Sequence, residues 1–126
     1  MSDRMETAMD WLAGKRKTFI TEIVTYRRGE DEVELSATIG RTIFRLPEGY
    51  GVEVRVETRD FLITAADLVL DGSLIEPKAG DEIDRTVGSA IHTFEVMSPG
   101  AGEAAWEYSD GWQNTLRIHT KRIEVA

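Results

Sequence analysis

The sequence predicts an all-β protein: a small barrel or sandwich of about seven or eight strands, preceded by one short N-terminal α-helix. Three observations lead there. Apolar and polar residues alternate over residues 33–39 and again over 52–57, the period of a half-buried strand. Turn signals built on Gly, Pro and Asp recur at short spacing along the chain. Helical periodicity occurs only near the start, and no long helical pattern separates the strands, which disfavours a parallel α/β sheet.

The helix is read over residues 1–14. Met5, Ala8, Met9 and Leu12 fall at i, i+3, i+4 and i+7, which places them on one apolar stripe. Ser2 or Asp3 can cap it, Gly14 can end it, and Lys15, Arg16 and Lys17 lie beside its negative end. A helix of about a dozen residues is marginal alone in water, so the stripe must pack on its own domain or on a partner.

Strands are expected over 18–125, in one domain spanning 1–126. Residues 18–26 are rich in β-branched and aromatic side chains, and Arg28, Gly29, Glu30 and Asp31 read as the turn after them. Val33, Leu35, Ala37 and Ile39 form the buried face of the next strand. Gly40 and Arg41 are expected to turn the chain into a short strand over 42–46, and Pro47, Glu48 and Gly49 to turn it again. Val52, Val54 and Val56 then alternate with Glu53, Arg55 and Glu57. Later, residues 82–86 and 90–97 flank Gly88 as a hairpin. Residues 98–102 (Ser-Pro-Gly-Ala-Gly) form a loop, and 115–125 form the last strand.

Composition narrows the function classes. The chain has 126 residues, 41% of them hydrophobic and 30% charged, as expected of one globular domain. It has no cysteine, hence no disulfide and no cysteine-based zinc site. No apolar run approaches a membrane span, and no secretory signal pattern opens the chain, which reads as intracellular. The net charge is −8, with about +1 over 1–17 and about +2 over 117–126, so the acidity lies in between. Conventional nucleic-acid binding would show a concentrated basic stripe instead.

Residues that could carry chemistry are few. His92 and His119 have no ligand-like neighbours at i+2 or i+4, and no metal or other cofactor is expected. Asp81 and Asp84 fall on opposite faces of a strand, which disfavours a paired acid/base role, and Asp81 reads as a turn cap. Trp106, Tyr108 and Trp112 form a dense aromatic group; they read as packed rings at a barrel end or interface, or alternatively as a stacking platform of a carbohydrate- or ligand-binding module. In the last strand Arg117, His119 and Lys121 share one face. That face reads as a charge-guarded edge or as an electrostatic contact with an acidic neighbour.

The stretch 59–96, with its apolar RDFLI, its PKAGDEI turn and strand, and its HTFEV strand, is similar to the small head-tail connector proteins of tailed bacteriophages. These are the head-closure, stopper and head-tail joining proteins. The WEYSD segment and the basic TLRIHTK ending fit the same pattern. The resemblance implies a non-enzymatic virion protein, present in the host cytoplasm during assembly. It implies a homo-oligomeric ring between the portal or adaptor and the tail, lining the channel through which DNA passes without sequence-specific binding. It directs attention to three contact elements: Met5, Met9 and Leu12 of the helix; Ser98, Gly100 and Gly102 of the loop; and the Arg117, His119 and Lys121 face.

Overall fold

A computed structural model describes residues 21–126; the helix expected over 1–14, with Met5, Met9 and Leu12, lies outside them. The described residues form nine strands: β1 (Thr21–Arg28), β2 (Asp31–Gly49), β3 (Val52–Thr64), β4 (Val69–Leu70), β5 (Ser73–Leu74), β6 (Glu82–Val87), β7 (Ala90–Val96), β8 (Trp106–Tyr108) and β9 (Thr115–Val125). The fold is all-β. Every pairing is antiparallel, and the order β3-β2-β1-β6-β7-β9 closes on itself because β9 also pairs with β3. Closure removes the free edges that an open sheet of six strands would expose. β8 is added on β9, and β4 and β5 form a separate two-stranded ribbon.

Turn chemistry explains the short connections. Gly29 and Glu30 join β1 to β2, and Gly88 and Ser89 join β6 to β7, each as a two-residue hairpin loop. β4 and β5 are joined by Asp71 and Gly72, both at positive φ (50° and 77°), as a type I′ turn demands. This Asp-Gly pair between Leu70 and Ser73 is a strong hairpin signal that the strand reading of the sequence passed over.

Two expected turns differ. The one read at Pro47, Glu48 and Gly49 falls at Tyr50 and Gly51, because Pro47 and Gly49 still pair with β3. The one read at Gly40 and Arg41 is absent. β2 runs unbroken through Gly40 and Arg41, which pair with Asp60 and Arg59 of β3. β3 offers a continuous ladder from Ala37 to Pro47, so reversing the chain at Gly40 would abandon hydrogen bonds that the extended form makes. The missing side chain serves packing: a Cβ there would meet Leu62 at 3.5 Å and Arg117 at 3.8 Å. Beyond Thr38 on β2 and before Arg59 on β3, the two strands pair only with each other among the described residues. They form a long hairpin arm that leaves the barrel wall.

The buried face changes parity along this hairpin. Leu35 and Ala37 on β2, and Phe61 and Ile63 on β3, point into the barrel with Val24, Tyr26, Ile83, Val96, Leu116 and Ile118. Phe61 and Phe94 meet edge-on there, with centroids 5.1 Å apart. Beyond the switch the buried or half-buried residues are Thr42, Phe44 and Leu46 on β2, and Val54, Val56, Thr58 and Asp60 on β3. Asp60 and Phe61 are both fully buried although they point to opposite faces. The sheet is therefore covered on both sides at this level.

Candidate functional site

The outer cover of that seam is polar. Asp60 is at the centre, 0% exposed, opposite His119 in the β3–β9 ladder. One carboxylate oxygen accepts hydrogen bonds from the Thr58 hydroxyl (2.7 Å) and His119 Nδ1–H (2.9 Å). The other accepts from the Thr42 hydroxyl and the Arg117 guanidinium. Four donors on two oxygens fill the acceptor capacity of an ionised carboxylate. Burial alone pushes the Asp60 pKa up, but the bonds from His119, Thr42, Thr58 and Arg117 outweigh it, and the pKa lies below the usual carboxylate range.

A buried histidine on a carboxylate is a familiar part of catalytic sites, so its other side matters. His119 Nε2 faces Glu107 at 3.9 Å, and the Phe44 ring packs edge-on against the imidazole at 5.1 Å. The hydroxyls beside the pair, on Thr42 and Thr58, bond the carboxylate instead of standing beyond Nε2 as a nucleophile would. The network ties β2, β3 and β9 together at the root of the arm. Among the described residues no group of three or more His, Cys, Asp or Glu side chains is arranged to hold a metal ion.

A second buried carboxylate lies just ahead of β6, at the end of β1. Asp81 accepts from the Tyr26 hydroxyl, from Arg28 through two bonds of 2.9 and 2.8 Å, and from the backbone N–H of Lys78. It caps the Pro77–Gly80 turn, as the sequence implied, and also ties β1 to the start of β6. Burial, reinforced by the bond to Asp81, raises the Tyr26 pKa far above its ordinary value. Arg27 bonds Glu82 and Asp84 beside it, while Arg85 bonds Glu22 near the other end of β6.

The sequence-selected contact residues fall in different settings. Ser98, Gly100 and Gly102 belong to the connection from β7 to β8, which leaves β9 at Met97 N–H to His119 O and returns at His119 N–H to Ala105 O. Ser98 Oγ accepts from Gly100 N–H and donates to Glu103 O. Gly100 adopts φ 118° against the arm, where a Cβ would lie 3.3 Å from Leu46. Ser98 and Gly102 remain exposed. Arg117 and His119 are both held on Asp60, whereas Lys121 is exposed. β9 is no edge at Arg117, which β3 and β8 flank, nor at His119, which pairs with β3 on one side and bonds Met97 and Ala105 on the other. Its open edge begins at Lys121, past the last β3 partner, Thr120.

The aromatic group splits as well. Trp106 and Tyr108 share a face of β8, meet edge-on at 5.3 Å and pack against the core. Trp112 stands 85% exposed in the following turn, whose backbone Asp110 caps through Asn114 and Thr115 N–H. The three rings therefore do not form a common stacking platform.

A closed barrel, a projecting arm and a polar seam that binds its own strands describe a structural module. A family model, phage head-tail joining protein, matches residues 2–126. The chain belongs to that family. Head-tail joining proteins are structural components of the phage virion, and the match spans the barrel, the arm and the segment ahead of β1. No curated protein and no solved structure matches the chain. Among the described residues no helix is long and apolar enough to cross a membrane.

Asp60, Thr42 and Arg28 were not singled out in the sequence. The available signal was a carboxylate in RDFLI at the point where the buried parity changes from Val54 and Val56 to Phe61 and Ile63.

Proposed function

We propose that the protein is one subunit of a ring that joins the portal of the phage head to the tail and surrounds the DNA channel. The observation that carries this reading is the head-tail joining family match over residues 2–126. The closed barrel supports it by supplying a rigid wall element, and the arm by reaching beyond that wall. Heterologous contacts between unlike faces would close such subunits into a ring.

In this reading the chain is one barrel domain assembled in the host cytoplasm and carried in the virion, with no catalytic step. The helix stripe of Met5, Met9 and Leu12, the exposed Ser98 and Gly102 flanking Gly100, and Lys121 make contacts with neighbouring subunits or with portal and tail proteins. Arg117 and His119 act through Asp60 by holding the arm at its root. The net charge of −8 favours passage of DNA over its capture.

The test is incubation of the purified protein with the cognate portal, filled capsids and tails, followed by electron microscopy. Added density at the portal vertex or tail end is expected. Repeated failure to bind any of the three would overturn the proposal.

A further inference from the structure

Below Arg59 and Thr120, β3 and β9 separate. β3 continues into the arm paired only with β2, and β9 continues to Val125 paired only with β7 among the described residues. The gap is an open cleft of about 590 Å³, whose lining includes Glu57, Arg59, Arg85, His92, Lys121 and Arg122, with Glu57 held by Arg41 of the arm. Arg85 is occupied by Glu22. Among the described residues no carboxylate forms an ion pair with Arg59, Lys121 or Arg122, all three exposed. A strand edge and three cations that no described carboxylate pairs fit an extended acidic segment.

The chain itself carries such a segment at its other end. The β1–β2 hairpin presents Glu30, Asp31, Glu32 and Glu34, all exposed and none in an ion pair with another described residue. The strands are antiparallel, so this tip lies at the end where β9 begins and the cleft lies where β9 finishes. Occupant and receptor thus sit on opposite ends of one subunit. A phosphate backbone is the weaker fit, because three cations on a chain of net charge −8 give little counterion release against a strong overall repulsion.

We propose that the cleft between β3 and β9 receives the acidic β1–β2 hairpin of a second copy, forming a head-to-tail contact between subunits. The contact rests on the ring reading above and names the surfaces that would join its subunits. Its polarity is heterologous, so repetition gives a closed ring or an open stack and never a two-fold dimer.

Charge reversal tests it. Lys121→Glu with Arg122→Glu spoils the cleft and keeps the hairpin; Asp31→Lys with Glu32→Lys does the converse. Either variant alone sets like charges against each other, while a mixture restores opposite charges at every contact. Carbodiimide cross-linking at high protein concentration, on mixed light and heavy isotope-labelled chains, reads the contact directly. In the wild type Lys121 is expected to join intermolecularly to Glu30, Asp31, Glu32 or Glu34. Each variant alone should give about tenfold less cross-linked oligomer, and the mixture should recover it. The proposal is overturned by failure of the mixture to recover, by Lys121 joining other carboxylates, or by absence of intermolecular products. It is also overturned if a labelled DNA duplex binds the wild type but not the cleft variant, which would assign the cleft to phosphates. Portal binding without this cross-link would remove the contact and leave the joining role intact, whereas loss of portal binding in the wild type would remove the joining role.

Discussion

Replacing Asp60 by Asn keeps the shape of the side chain and removes its charge at the point where three strands meet. The carboxylate accepts four hydrogen bonds with no solvent access of its own. The amide turns one acceptor into a donor that faces existing donors, and it leaves the Arg117 guanidinium without its counter-ion. Breaking a buried charge pair by removing one partner costs about 3–5 kcal/mol. The Arg117 side chain is 28% exposed and can be partly rehydrated, which places the expected loss near the lower end, about 3 kcal/mol. With a urea m-value of about 1.5 kcal/mol/M, the unfolding midpoint should fall by about 2 M. Adding Arg117→Met should recover part of the loss, because the uncompensated charge goes with it. The pH dependence follows from the lowered Asp60 pKa. The ionised form is the stabilising one, so its contribution is complete above the unfolded-state pKa of about 3.9 and disappears as pH falls through the lower folded-state value. The gap between wild type and Asp60→Asn should therefore be full at pH 7 and shrink below about pH 4. A midpoint shift at pH 7 smaller than about 0.5 M would refute the view that this network anchors the arm.

Three further outcomes are expected. Tyr26→Phe removes the hydroxyl bonded to buried Asp81 and should cost about 1.5–3 kcal/mol in chemical denaturation, the range for bonds to charged groups. Gly72→Val forces a β-branched residue to φ 77° in the Asp-Gly turn; it should lose about 1–2 kcal/mol, read as a Tm drop of several degrees by calorimetry. In a Trp11→Phe background, Trp112→Phe should abolish most iodide-quenchable fluorescence and change stability by less than about 0.5 kcal/mol, whereas Trp106→Ala should cost about 2 kcal/mol or more.

What could be read from the sequence was governed by periodicity. The β1–β2 and β6–β7 hairpins, and the long β9, follow from alternation and from glycine-bearing turns, and they appear where expected. Gly40 misled because a glycine in a strand signals either reversal or close approach, and only the partner across the ladder decides. The seam was opaque for a related reason. Arg117 and His119 look like free basic groups in a linear reading, while the acceptor that binds them lies about sixty positions earlier on another strand. Lys121, two residues further along the same face, reaches solvent because β3 has already turned away into the arm.

The unbroken ladder through Gly40 has a mechanical consequence. From Arg41 to Gly49 the arm extends about 30 Å at the usual rise per residue, with no interruption of pairing between the barrel and Pro47. Its pairing is unbroken at the base, and it is held both there by Asp60 and further out by the 98–102 loop, where Gly100 lies against Leu46. A load applied near Tyr50 would pass along two bonded strands to the Asp60 seam on β9 and, through Leu46, to the loop that packs on the arm. Lengthening the tip between Gly49 and Val52 would extend the reach of the lever and leave its clamp untouched.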